Sequence, residues 1–228
     1  MTLPPDQVRA MFDRITPAYD RMNRLMSLGM DGSWRSLAVR ASGVAPGDAA
    51  LDVCCGTGDL AIEQLDAVST RGRVVGLDFS PAMLAAARRK SSQVEWVQGD
   101  ALALPFADGE FAAATIGFGM RNLSDPLRGF AELGRVVRPG GRVVCLELTE
   151  PPAWAAPFAR LWTDRAVPLL GRLIARETDA YRDRPASVHR FQTADELAAV
   201  MGRAGLRRVR FRRLSGGAVA VHVGTVPA

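Results

Sequence analysis

From Ala49 to Leu148 the chain alternates short β-branched or apolar runs with amphipathic helical ones, and this alternation narrows the fold more than any other feature. Strands are read at Ala49–Cys55, Val74–Asp78, Val94–Gln98, Ala112–Phe118 and Arg142–Leu148. Helices are expected from near Asp59, from Pro81 to Lys90 and from Pro126 to Val137, with a Pro139-Gly140-Gly141 turn before the fifth strand. Strands separated by helices imply right-handed crossovers, hence an α/β, doubly wound, Rossmann-like sheet. The rhythm then changes: Glu196–Ala204 is helical, and Val209–Leu214 and Ala218–Gly224 flank Ser215-Gly216-Gly217. Two strands around a short glycine turn make an antiparallel hairpin, so the expected sheet is seven-stranded and mostly parallel.

The flanks suggest one domain with appendages. Val8, Met11, Phe12, Ile15 and Tyr19 recur at helical spacing, giving an N-terminal lid over 1–42 before a ligand-binding core at 43–150. Residues 151–190 read as a helical cap, with Trp154, Phe158, Leu161, Trp162 and Arg165 on one face, and 191–228 as the closing helix and hairpin. At 228 residues and 48% hydrophobic, the chain has enough apolar surface for one large core. No run approaches the roughly 20 apolar residues of a membrane span. The N-terminus lacks the plan of a signal peptide, so the expected location is cytoplasmic.

Cys54, Cys55 and Cys145 lie in strand-like sequence without metal-ligand spacing, and His189 and His222 have no ligand-spaced partner, so no metal site is expected. Net charge is +5, carried almost wholly by arginine; Lys90 is the only lysine. Arg207, Arg208, Arg210, Arg212 and Arg213 cluster in one late strand. Such a cluster can attract nucleic acid or an anionic membrane, but it reads first as a solvated sheet edge protected by charge.

The turn after the first strand, "LDVCCGTGDL", places Gly56 and Gly58 where a ligand approaches the carboxyl ends of the strands. The spacing admits a dinucleotide. Three features favour S-adenosylmethionine instead. Asp52 and Asp59 flank the turn, where they repel a pyrophosphate and welcome an ammonium group. Asp78 ends the second strand, where it can accept both ribose hydroxyls. Asp100, in "GDALALPF", can take an adenine amino group while the Ala101 amide addresses a ring nitrogen.

These motifs, "LDVCCGTGDLA", "VVGLDFSPAML", "GDALALPFADGEF" and "ELGRVVRPGGRVVCLE", resemble those of class I S-adenosylmethionine-dependent methyltransferases. "MFDRITPAYDRMNRLMSLGMDGSWR", "IGFGMRNLSDP", "VPLLGRLIARETDAYR" and "LSGGAVAVHVG" are similar to the ubiquinone/menaquinone biosynthesis C-methyltransferases, over nearly the whole chain. The resemblance implies cofactor contacts from Tyr19, Asp52, Gly56, Thr57, Gly58, Asp78, Phe79, Asp100, Ala101 and Gly117, with Tyr19 and Asp20 in a closing lid. It also implies methyl transfer to a ring carbon of a demethylated isoprenoid quinol, with Arg121 stabilising the substrate oxygen and Asn122 orienting it. A structural reading of Arg121 pairs it with Asp125, and Glu147 is a weaker acid-base candidate. Asp183 and Arg184, in Tyr181-Arg182-Asp183-Arg184, depart from the family's tyrosine-arginine-tyrosine-leucine pattern, and Gly117 before "FGMRN" stands where serine is frequent.

The expected partners are a lipophilic quinol, a transient peripheral contact with a membrane through the arginine-flanked cap, and a second copy in a homodimer, with no nucleic acid. The alternatives are a secondary-metabolite C- or O-methyltransferase of a phenolic or polyketide substrate, a nucleic-acid methyltransferase, a non-methylating or pericyclic relative, and an NAD enzyme. "GFGMRN" stands where an adenine methyltransferase would carry Asn/Asp-Pro-Pro-Tyr, which counts against the nucleic-acid reading.

Overall fold

The apolar runs become the centre of a sheet. A computed structural model of the protein describes residues 13, 16, 19–152 and 192–228. The helical reading of Val8, Met11, Phe12 and Ile15, the cap from Trp154 to Ile174, Asp183, Arg184 and His189 lie outside the described residues. The described elements are α1 (Tyr19–Met26), α2 (Asp31–Ser42), β1 (Ala49–Val53), α3 (Asp59–Val68), β2 (Arg73–Asp78), α4 (Pro81–Lys90) and β3 (Glu95–Gln98), followed by β4 (Phe111–Gly117), α5 (Pro126–Val136), β5 (Val137–Leu148), α6 (Ala194–Arg203), β6 (Arg207–Leu214) and β7 (Val219–Thr225).

The seven strands form one sheet in the order β3-β2-β1-β4-β5-β7-β6. β1 to β5 pair in parallel, while β7 runs antiparallel to both β5 and β6. β1 and β4 are buried along almost their whole length because helices cover both faces. On one face α5 and α6 bring Phe130, Leu133, Leu197 and Met201 against Phe111, Ile116 and Cys145. On the other, Trp34 of α2 and Leu60 of α3 pack on Val144, Leu146 and Val221.

Local chemistry explains the helix starts. Ser80 and Asp125 accept the Met83 and Arg128 amide hydrogens, with Pro81 and Pro126 in the following position. Thr193 and Glu196 form a reciprocal capping box, which starts α6 at Ala194, two residues before the sequence pattern suggests.

One detail here differs from expectation and another agrees with it. Pro139, Gly140 and Gly141 lie inside β5 as an irregularity rather than as a turn before it: Phe111 pairs with Val137, and the ladder resumes at Ala113 with Arg142. Gly140 and Gly141 instead exchange backbone bonds with Val226, which secures the extra residues. The arginine-rich strand is β6, the outermost in the sheet, and its arginines are exposed apart from their pairing with β7. Arg213 also pairs with Asp195 at 2.6 Å and lies over the Phe211 ring. This is the charged edge that the sequence suggests. Cys55 and Cys145 pack in the core, and buried His222 holds Nε2 at 2.9 Å from the Ala194 carbonyl, with burial lowering its pKa.

Candidate cofactor and substrate site

The strand order reverses between β1 and β4, and the segments leaving β1, β2, β3 and β4 meet there around a cavity of about 340 Å³. Of the residues expected at the site, Tyr19, Gly56, Asp78, Phe79, Asp100, Ala101, Gly117 and Asn122 line it. Asp52, Thr57, Gly58 and Arg121 are not on its described wall. Cys54, Met83, Leu102 and Phe118 also line it; each lies within one of the quoted motifs but was not singled out as a site residue.

Asp78 organises the floor. It is 5% exposed; one carboxylate oxygen accepts the Gly56 N–H at 2.8 Å and the other the Ser80 N–H at 2.9 Å. Burial raises its pKa, against the lowering effect of those two bonds. Ser80 in turn donates to Asp13 at 2.6 Å. The opposite wall is held from below. Glu132 of α5 accepts the Leu104 N–H at 2.8 Å, and Arg135 donates to the carbonyls of Leu104 and Phe106 while bonding Glu132. Asp100 accepts the Leu102 N–H, which turns the chain and sets Ala101 on the wall.

The two turn glycines serve different needs. Gly58 has φ +88° and opens α3; a Cβ there would stand 2.3 Å from the Trp96 ring. Its demand for glycine comes from packing within the protein. Gly56, at φ +55°, has among the described residues only Tyr19 within 4 Å of its would-be Cβ, at 3.8 Å, and it borders the cavity. This is the position that leaves room for a ligand. Cys54 and Phe118 hold left-handed backbones without being glycine, at φ +55° and +56°, one on each side of the switch point. Such strain persists where the surroundings over-determine it. Here Phe118 stacks near Trp34, 6.2 Å between ring centroids, and its N–H bonds the Leu146 carbonyl. Burial and the neighbouring Asp78 push the Cys54 thiol well up, so it stays protonated.

Asp52 sits beneath the cavity rather than in it. It is 1% exposed and accepts the Thr115 hydroxyl at 2.7 Å, while Gln64 donates to that hydroxyl at 3.1 Å. Burial raises its pKa to about 7, the Thr115 bond opposing and the Asp78 charge reinforcing. Asp59, expected to welcome an ammonium group, is instead paired with Lys90 at 2.6 Å. Thr57, 3% exposed, spends its hydroxyl on Asp20 at 2.6 Å.

Arg121 and Asn122 occupy a 3-10 turn, Met120–Asn122, that follows β4. Arg121 pairs with the fully buried Glu147 at the end of β5, and not with Asp125, which caps α5. Glu147 also accepts the Arg121 and Leu148 amide hydrogens, so its oxygens are committed. Asn122 borders the cavity.

The described wall carries two carboxylates, Asp78 and Asp100, and no arginine or lysine. A pyrophosphate would face both acids. A nucleoside bearing a sulfonium and an ammonium would not, and Phe79, Met83 and Leu102 offer apolar surface to a flat base. The residues present therefore fit S-adenosylmethionine. Among the described residues no His, Cys, Asp and Glu group could hold a metal ion.

The chain matches the ubiE/COQ5 methyltransferase family over residues 1–226. A demethylmenaquinone methyltransferase of Bacillus licheniformis is 40% identical over 222 residues, 96% of each chain. Another, of Lactiplantibacillus plantarum, is 39% identical over 233 residues, 97% of this chain and 96% of that one. Among solved structures, a SAM-dependent methyltransferase of Thermotoga maritima superposes with TM-score 0.66 at 18% identity, covering 95% of this chain and 98% of that one. The cyclase SpnF gives TM-score 0.74 at 18% identity, covering 100% and 98%. These two structures share the fold, which two chemistries therefore occupy.

Two expectations follow from this geometry. Gly58→Ala lowers the unfolding free energy by roughly 2 to 4 kcal/mol through its φ and the Trp96 contact. Gly56→Ala keeps more of its stability but loses affinity for S-adenosylhomocysteine, so denaturant melts and calorimetry separate the pair. Asp52 keeps a proton that the unfolded chain releases as pH rises from 3.8 toward about 7, so its contribution to stability falls across that window and then levels. Asp52→Asn lacks that slope, and its denaturation midpoint rises relative to the parent's between pH 5 and pH 8.

Proposed function

This chain belongs to the ubiE/COQ5 methyltransferase family, and we propose on that premise that it methylates a ring carbon of a demethylated isoprenoid quinol, converting demethylmenaquinol to menaquinol. The observation that carries the reading is the 39–40% identity, across nearly the full length, to relatives named demethylmenaquinone methyltransferase. The cofactor that the family and the fold imply is S-adenosylmethionine. Bound in the cavity, it supplies a methyl carbon made electrophilic by the adjoining sulfonium.

The chain's own residues mainly hold and align, since a displacement at a methyl carbon asks chiefly for a nucleophile placed behind it and for water kept out. Asp78 accepts the ribose hydroxyls with the lone pairs left after Gly56 and Ser80. Asp100 and the Ala101 amide would meet the edge of the adenine and Phe79 its face, while Gly117 borders the same cavity with its absent Cβ directed at Leu60. Tyr19 lines the cavity from α1. The substrate carbon lies ortho to a hydroxyl and becomes nucleophilic as that oxygen gives up its proton. That carbon would bond to the methyl group as the methyl–sulfur bond breaks and its electron pair returns to sulfur, leaving S-adenosylhomocysteine. It would then release its own hydrogen as a proton, which restores the aromatic ring.

Asn122 orients the substrate oxygen. Arg121 acts through that neighbour: its charge is met by Glu147, so its net field at the cavity is small, and the buried pair fixes the turn that presents Asn122. An isoprenoid tail partitions into lipid, and the proposal extends to a transient contact with the membrane face where such a substrate resides. Among the described residues no helix is long and apolar enough to cross a membrane.

The test is an anaerobic assay with methyl-labelled S-adenosylmethionine and chemically reduced demethylmenaquinol. Label on the quinol ring supports the proposal; absence of label, from protein that binds S-adenosylhomocysteine, sinks the quinol assignment and moves the reading to a phenolic or polyketide substrate. In the same assay Asn122→Ala lowers turnover by about 100-fold with an unchanged melting temperature. Arg121→Ala, by leaving Glu147 buried and unpaired, costs about 3 to 5 kcal/mol of stability. If Arg121→Ala were as stable as the parent but inactive, the guanidinium itself would be the catalytic group.

A further inference from the structure

Lys90 is the only lysine in 228 residues, and it stands where four segments meet. It is the last residue of α4. Its ammonium lies 2.6 Å from Asp20 on α1, 2.6 Å from Asp59 at the start of α3, and 3.0 Å from the Thr57 hydroxyl between the two turn glycines. The ring closes on itself, because Thr57 donates to the other oxygen of Asp20 at 2.6 Å. An ammonium group has three donors, and three acceptors converge on it. A planar guanidinium, which serves every other basic position in this chain, does not match that arrangement.

The contacts are unequal in what they join. Asp59 and Lys90 both belong to helices packed on the sheet, so their bond anchors the ammonium to the core. Asp20 is the neighbour of Tyr19, which lines the cavity, and it lies on a helix of only eight residues. The Lys90 and Asp20 side chains are 29% and 43% exposed, which makes their bond weak and reversible. If the Asp20 contact opens, Asp59 and Thr57 still hold the ammonium in place.

We infer that Lys90 is a positioning residue, a latch that holds α1 and Tyr19 over the nucleoside site by linking Asp20 to the glycine turn and to Asp59. Closing the latch slows release of the bound nucleoside; opening it admits the next one. The inference rests on the reading of this cavity as the cofactor site, and it adds to that reading the group that governs closure.

The single lysine makes the test direct. Only Lys90 and the terminal amine of the chain react with an amine-specific acetylating reagent, so mass spectrometry follows Lys90 alone. S-adenosylhomocysteine is expected to slow acetylation of Lys90, as the closed latch engages all three N–H donors. By calorimetry, Lys90→Gln and Asp20→Asn each weaken S-adenosylhomocysteine binding by about five- to tenfold. The double variant is no weaker than either single one, because both remove the same contact. In turnover assays KM for the methyl donor rises while kcat is unchanged or higher, and Lys90→Arg restores part of the affinity. A merely structural lysine would lower the melting temperature without this split. Equal affinity in parent, Lys90→Gln and Asp20→Asn, or additive losses in the double variant, overturns the latch while leaving the cofactor site intact. A parent protein that binds no S-adenosylhomocysteine overturns both readings.

Discussion

The carboxylate of Asp78 joins the parts of this molecule that its chemistry requires. It stands at the end of β2 and accepts one N–H from the turn after β1 and another from the start of α4. Without those bonds the Gly56 and Ser80 amide hydrogens would lack the carboxylate that receives them, and the glycine turn would lose one of its ties to the neighbouring strand, beside the Cys55 N–H bond to the Leu77 carbonyl. The same residue is proposed to receive the ribose. A group that must both hold the floor and meet the ligand tolerates little variation. Asp52 beneath it, kept in reach of Thr115 and Gln64, extends the polar support into a core otherwise packed with apolar side chains.

Charge is distributed with similar restraint. The cavity wall keeps two carboxylates and no basic side chain among its described residues. The nearby cations are neutralised from within the protein: Arg121 by Glu147, and Lys90 by Asp20 and Asp59. The surplus of arginine lies elsewhere, most densely on the outer strand β6. A chain with net charge +5 therefore presents an acidic pocket, suited to a cationic cofactor. Overall charge alone would have pointed toward phosphates.

Much of the fold was legible because local chemistry and long-range packing agree. Pro81 to Lys90 is a helix from its Ser80 cap to its last residue, and β2, β4 and the closing hairpin lie within a residue or two of where their apolar runs place them. The placement of Asp78 and Asp100 on the cavity wall was legible too, since Asp78 ends β2 and Asp100 follows β3 on the side where ligands sit. Contacts from distant segments were less so. Gly58 carries the same letter as Gly56, yet one answers to the Trp96 ring and the other to open space. Asp59 reads as a ligand until Lys90, 31 residues later, is folded against it. Cys54 and Phe118 carry no turn signal, and their left-handed backbones are imposed by the segments around them.

The sequence by itself determined the alternation that winds a parallel sheet, the helix caps, the glycine turn and the family motifs, because each depends on residues close together in the chain. The tertiary structure alone decided which charges are spent. Arg121 meets Glu147, Lys90 meets Asp20 and Asp59, and Asp52 is buried below the pocket it was expected to line. A residue's charge is written in its letter. Whether that charge faces a ligand or a partner depends on distances between segments far apart in sequence, and only folding sets those distances.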